Sequence, residues 1–369
     1  MASRTDGQED AGEPDRVAGC RHPRDTVTLH GHGAAEALLA AALTKGTLAH
    51  GWLIGGPAGI GKATLAYRLA KAVLVPDARL SSDSLETDHQ HAGIRRILSG
   101  GHGDLVVIRR PVDENTGKAK ATIPVEAVRR LQAFFGHHAG EGGWRVAVID
   151  NANDLTTSAA NALLKTLEEP PPRALILLVA DAPARLLPTI RSRCRRLILK
   201  PLGTDDLSRV LKEQDIAVPQ DKAGLVARLS QGSAGRAAGL VQGDGLALFE
   251  DLSGLLETLP QLDVSKLHIF AERVTRRGND AAFETVRDLL EGWMMRLVRT
   301  AATGAPGEDL LPGDGERIAA LAGRRPLDAW LEAWDKIAEA LAAGVGLNLE
   351  RKQLLLSAFF TLQAAAKGA

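Results

Sequence analysis

Residues 52–73 limit what this chain can fold into more tightly than any other stretch. The apolar run Trp52-Leu53-Ile54 leads into GGPAGIGKAT, Gly55 to Thr64, and then into Leu65, Leu69, Ala70 and Val73 at helical spacing. A strand, a glycine-rich loop and a helix in that order are the setting of a phosphate-binding loop. Backbone N–H groups and the positive end of the helix hold the phosphates, and the lysine reaches the outer two. Gly56, Gly59, Gly61 and Lys62 are therefore the candidate nucleotide-binding residues. The plainer reading is a glycine turn between strand and helix, and the flanking elements weigh against it.

The pattern breaks at one position. The residue after Lys62 should carry a hydroxyl for magnesium, and here it is Ala63. Thr64 stands one residue later, about 100° further round a helix, and replaces that hydroxyl only in part. A hydrolysing site also needs a carboxylate at the end of another strand, often with a second one to activate water. VAVIDNAND supplies Asp150 after an apolar run, but the next residue is Asn151, whose amide cannot take a proton from water at neutral pH. Two groups missing from one site suggest a retired ATPase. The loop is left with weak ATP or ADP binding, no cofactor is required, and no metal ligand is assigned.

Further apolar runs at Leu105–Ile108, Val146–Ile149, Leu175–Val179 and Leu197–Leu199 alternate with helical patterns. Unbroken runs suit strands buried on both faces, and intervening helices suit parallel crossovers, so the fold class is α/β with a parallel sheet. After Pro201 only helical patterns remain. Apolar residues recur at spacings of three and four in Leu252, Leu255, Leu256, Leu259, in Phe283, Val286, Leu290, Trp293, Leu297, and in Leu327, Trp330, Trp334, Ile337, Leu341. The expected division is a disordered tail over 1–25, an α/β domain over 26–201, a small helical lid over 202–243 and an all-α region over 244–369. The polar segment 77–104, with His89, His91 and His102, and the stretch GHHAGEGGW read as loops.

Lys plus Arg and Asp plus Glu balance at 45 each, so no global field points to nucleic acid or a membrane surface. Two distant cysteines, Cys20 and Cys194, argue against a disulfide scaffold. No run is long and apolar enough to cross a bilayer, and the polar start MASRTDGQEDAGEPD lacks the apolar core of a secretory signal. A cytoplasmic protein without membrane contact is expected.

The stretch TTSAANALLKTLEEPPPRALILLVADAPARLLPTIRSRCRRLILKPL reads as a short helix, Asn161 to Glu169, stopped by three prolines and followed by a buried strand from Ala174. It ends in Arg191, Arg193, Arg195 and Arg196. A solvated basic turn is one reading. An arginine aimed at another subunit's phosphate is the other. Lys165, on the same helix, reads as a surface lysine.

GPAGIGKAT, VAVIDNANDLTTSAANALLKTLEEPPP and LLPTIRSRC, in this order, resemble the AAA+ clamp-loader subunits of bacterial DNA polymerase III. The likeness is to the delta-prime branch rather than the ATP-hydrolysing gamma/tau branch. It runs from about Leu29 to Gly243 and returns in LNLERKQLLL, Leu347 to Leu356. The resemblance implies an AAA+ P-loop domain, a lid and a helical collar. It also implies that Arg193, within Ser192-Arg193-Cys194, is an arginine finger acting in trans on ATP held by a neighbouring gamma/tau subunit. Implied partners are gamma/tau and delta subunits, with the sliding clamp and primed DNA met through the assembly during DNA replication. Many relatives carry four cysteines for structural zinc after the first helix; this chain has none there, so no zinc is expected. The lid arginine of ATP-active relatives comes just after Gly-Ser, whereas here Ser233 is followed by Ala234-Gly235 and Arg236 comes one position late. A self-contained AAA+ ATPase stays open as the alternative, and a small-molecule kinase finds no support in the helical region or the arginine cluster.

Overall fold

The computed structural model describes residues 13–17, 19–113, 117, 119–136, 140, 143–276, 279–346 and 351–368. The expectations for residues 1–12, for part of GHHAGEGGW and for the first four residues of LNLERKQLLL lie outside them. The chain divides into two compact units, Met1–Asp215 with Gln231–Gly235, and Ile216–Ser230 with Arg236–Ala369. The segment expected as one lid, 202–243, is thus shared between the two units.

The first unit runs α1 (Gly33–Thr44), β1 (Gly51–Gly55), α2 (Lys62–Leu74), α3 (Ala92–Leu98), β2 (Leu105–Arg109), α4 (Val125–Gly136), β3 (Arg145–Asp150), α5 (Thr157–Glu168), β4 (Ala174–Ala180), α6 (Pro188–Arg193), β5 (Arg195–Ile198) and α7 (Thr204–Glu213). The strands form one sheet in the order β2-β3-β4-β1-β5. Every pairing is parallel. The five apolar runs read from the sequence are its five strands, and the expected α/β class holds.

Side chains along a strand alternate between faces, and an unbroken apolar run feeds both. Leu53, Ala147, Ile149, Ile176 and Leu178 meet Val128 and Leu131 of α4 and Leu163 of α5. Trp52, Ile54, Val146, Val148, Leu175 and Leu177 pack with Leu39 of α1 and Leu65 and Leu69 of α2 on the other face. Each fully buried Leu or Ile contributes about 1.5–3 kcal/mol, so this double layer fixes the strand ends on which the site is built. β5 lies at the sheet edge, where Arg195, Arg196 and Ile198 are exposed.

The second unit contains the helices α8 (Ala223–Ser230), α9 (Ala234–Gln242, which begins in the first unit), α10 (Gly245–Leu256), α11 (Val264–Val274), α12 (Asp280–Thr303), α13 (Asp314–Ala322), α14 (Leu327–Gly346) and α15 (Arg351–Lys367). The three periodic sets supply its core. Leu252, Leu255, Leu256, Phe283, Val286, Leu290, Leu297, Trp330, Ile337 and Leu341 are buried together, with Leu259, Trp293 and Trp334 partly buried against them.

Three local expectations need correction. Segment 77–104 holds α3, whose Ile94 and Ile97 are buried and whose N-terminus is capped by His91, its ring accepting from Gly93 N at 3.2 Å. Helix α5 starts at Thr157 rather than Asn161, because Thr156 caps it by accepting from Ala159 N at 3.2 Å. The tail expected to be disordered up to residue 25 holds fixed contacts over residues 13–17 and 19–25. There His22 is buried and stacks edge-on with Tyr67 at 5.6 Å, and Asp15 has a fully buried side chain paired with Arg109.

Candidate functional site

Parallel pairing brings the carboxyl ends of the strands to one edge of the sheet, the place where open α/β sheets bind ligands. The pair Gly55 and Ala180 in register sets the residue after β4, Asp181, beside the start of the glycine loop. Asp150 closes β3 next to β4, and Arg109 is its partner at the end of β2.

The loop is clamped on several sides. Gly56 N donates to Ala180 O at 3.2 Å, and Leu199 N donates to Gly55 O at 2.8 Å. Ser233 Oγ donates to Ala58 O at 2.8 Å, Gly235 N donates to Gly59 O at 3.0 Å, and the His32 ring donates to Ile60 O at 2.8 Å. Two glycines are obligatory for this path. Gly56 has φ +141°, and a Cβ there would stand 2.5 Å from Leu199 O. Gly59 has φ +72°, and a Cβ would stand 2.6 Å from Ser233 Oγ. Gly61, also at positive φ, is the N-cap of α2, and no side chain caps that helix end.

Lys62 is where the expectation changes. Its side chain is 4% exposed, and Nζ donates to Pro57 O at 2.5 Å and to Asp181 Oδ1 at 2.7 Å. The other oxygen of Asp181 accepts from Asn151 Nδ2. Asn153 extends this frame: Nδ2 donates to Ala182 O at 2.9 Å and Oδ1 accepts from Ala182 N at 3.0 Å. Asn151 also caps the short 3-10 turn Ala152–Asp154, its Oδ1 accepting from Asn153 N at 3.0 Å. The residue that leaves the general-base position without a base therefore has two structural duties.

Asp150 was expected to be the magnesium-side carboxylate. Burial, then the charges of Asp15 and Asp181, push its carboxyl up to about 7, and Lys62 offsets this only in part. Thr64 is buried in the first turn of α2, whereas Ala63 is only half-buried, so the hydroxyl one position late is turned into the protein. The structure thus brings Gly56, Gly59, Gly61, Lys62 and Asp150 to one edge and leaves Thr64 out. Asp181, Asn153 and Asp15 escaped sequence reasoning. Asp181 was within reach, since it follows directly on the buried run 174–180.

The second candidate is the arginine corner. α6 ends at Arg193, whose Nη2 lies 2.7 Å from Glu168 Oε1 at the end of α5 and whose Nη1 donates to Thr189 O at 3.0 Å. The side chain is 35% exposed. Cys194 beside it is buried against Gly51 of β1, and burial pushes its thiol up to about 12. It is a packing residue that fixes where α6 ends, not a nucleophile. Arg195 lies over the Trp52 ring at 5.2 Å, and Arg196 is exposed on the edge strand. Arg236 belongs to the second unit, its guanidinium 3.8 Å from Asp288. Lys165 is exposed on α5. Among the described residues no helix is long and apolar enough to cross a membrane.

Residues 31–203 match the family model described as DNA polymerase III, delta subunit. The chain is 34% identical over 216 residues to DNA polymerase III subunit delta' of Escherichia coli, covering 58% of this chain and 61% of that protein. It is 37% identical over 146 residues to subunit delta' of Pseudomonas aeruginosa, covering 40% and 42%. Subunit tau of E. coli is 31% identical over 258 residues, 66% of this chain and 38% of that protein. The chain spans less than two thirds of these relatives. Residues 31–203, just under half of the chain, are thus similar to the delta subunits of DNA polymerase III, and the alignments with the delta' subunits point the same way.

Proposed function

We propose that this chain works as a clamp-loader subunit that assembles with gamma/tau and delta subunits to load a sliding clamp on primed DNA. Its chemical part in that assembly is Arg193, placed in trans on the ATP of a neighbouring gamma/tau subunit. One contrast supports this most: the lysine of the chain's own loop is buried and paired inside, while Arg193 is partly exposed and fixed at two points. A guanidinium keeps its charge at any working pH and offers five donors in a planar fork. Two are engaged by Glu168 and Thr189, and the others can meet charge developing on a transferred phosphoryl group. As part of the same reading, residues 202–243 act as a lid and 244–369 as a collar that joins subunits.

The alternative, a self-contained ATPase, has the glycine turns in its favour. Against it stand Ala63, Asn151 in place of a general base, and the pairing of Lys62 with Asp181. The test is reconstitution with gamma/tau, delta, clamp and primed DNA. Clamp loading should appear on addition of this chain and be absent without it. Loading unaffected by its omission, or no complex with the other subunits, would overturn the proposal.

A further inference from the structure

A magnesium nucleotide at this loop needs a lysine ammonium open to the outer phosphates, a hydroxyl for the metal and an ionised carboxylate behind it. The residues present do not fit such a group. Ala63 has no hydroxyl, and Lys62 Nζ is taken by Pro57 O and Asp181. The disagreement does not come from a ruined loop. Gly56, Gly59 and Gly61 keep their positive φ, and the first turn of α2 has no side-chain cap. The cradle is built, and the groups that fill it come from the chain itself.

Two elements supply them. Asp181 reaches back from the end of β4 and is fixed at both oxygens, by Lys62 and by Asn151. Residues 13–17 and 19–24 run along the same carboxyl edge. Asp15 pairs there with Arg109 at the end of β2, and its Oδ2 lies 3.2 Å from His22 Nε2. Glu13 bonds Arg24, with Oε1 3.0 Å from Nη2. A methyl group on Gly235 would meet Val17 Cγ2 at 3.4 Å and Gly59 Cα at 3.1 Å, so the segment also passes the tip of the glycine loop.

We infer that this is a latent nucleoside-phosphate site that the chain keeps closed with its own carboxylates. Asp181 stands where the outer phosphate oxygens would meet Lys62, and residues 13–17 and 19–24, Asp15 among them, cover the edge beside it. Asp15 and Asp181 together give a bound polyphosphate anionic neighbours, and juxtaposed like charges are an effective way to exclude a ligand. Exclusion on this account depends on Asp181 more than on Ala63, and one substitution reverses it.

The test measures equilibrium dialysis of radiolabelled ATP and ADP, with and without magnesium, against the isolated full chain. The wild-type protein should show no saturable binding below millimolar nucleotide. Asp181→Asn should bind at least about tenfold tighter, the scale of one removed like charge, and Asp15→Asn with Asp181→Asn tighter still. Adding Lys62→Ala to Asp181→Asn should abolish the gain. Should Asp181→Asn melt well below wild type, Asp181→Ala is scored in its place. Micromolar binding by the wild type would overturn the inference. So would folded Asp181 variants that bind no better than wild type. The assay needs no partner subunit, so its failure leaves the assembly proposal standing.

Discussion

The glycine loop and the arginine corner each end in a cation beside a carboxylate, yet their surroundings differ. Lys62 is 4% exposed, and its partner Asp181, 43% exposed, is tied in turn to Asn151. Arg193 is 35% exposed, and Glu168 facing it is 47% exposed. The difference lies on the cation's side: a buried ammonium has lost its water and holds its carboxylate strongly, so an outside anion must outcompete Asp181 to reach it. A surface pair contributes about 0–1 kcal/mol, so a phosphate can displace the carboxylate at little cost. The comparison teaches that a motif's activity depends on what already neutralises its charge, which a list of motif residues does not report.

The comparison can be broken first at the backbone. Gly56→Ala would force a Cβ against Leu199 O at φ +141°, and about 3 kcal/mol or more of stability should be lost. Ser192→Ala at the arginine corner, an exposed position, should change stability by less than about 0.5 kcal/mol. Urea unfolding of both variants checks the contrast, and equal losses would remove it.

Asp150 gives the next largest effect. Its folded pKa is raised from 3.8 to about 7, so the folded chain binds more protons than the unfolded one between these values. Stability from this group is fully present below pH 3.8 and is lost as pH rises through about 7. Asp150→Asn removes the penalty. Asp150 keeps some contact with solvent, so about half of what that shift implies is expected: a gain of roughly 2 kcal/mol at pH 8, and little change below pH 4. Denaturant midpoints at the two pH values decide it, and a gain confined to the acidic side would contradict the sign.

Glu168→Gln should be the smallest. Removing a half-exposed ion pair should cost less than about 0.5 kcal/mol, and ionic strength should shrink the difference further. A loss above 1 kcal/mol would mean that the arginine corner is as tightly held as the loop.

Much of this was legible in advance. Unbroken apolar runs identified all five strands, because a strand buried on both faces needs apolar residues at every position. The periodic sets around Leu252, Phe283 and Trp330 identified core faces for the same reason. Asp181 and Asp15 were not legible. Their effect depends on strand order and on a segment far away in sequence, and neither leaves a local pattern. Residues 13–17 and 19–25 looked disordered because their composition is polar, whereas their ordering rests on ion pairs to Arg109 and Arg24 and the packing of His22 on Tyr67.

On the proposed function, the chain's own lysine is idle while its arginine serves a neighbour. Steady-state ATP hydrolysis by the assembly with clamp and primed DNA, using Lys62→Ala and Arg193→Ala chains side by side, tests it most directly. Arg193→Ala should lower turnover by about 10²-fold or more, the scale of a lost arginine finger, and Lys62→Ala by less than about twofold. The reverse order, with Lys62→Ala abolishing turnover and Arg193→Ala sparing it, would contradict the account.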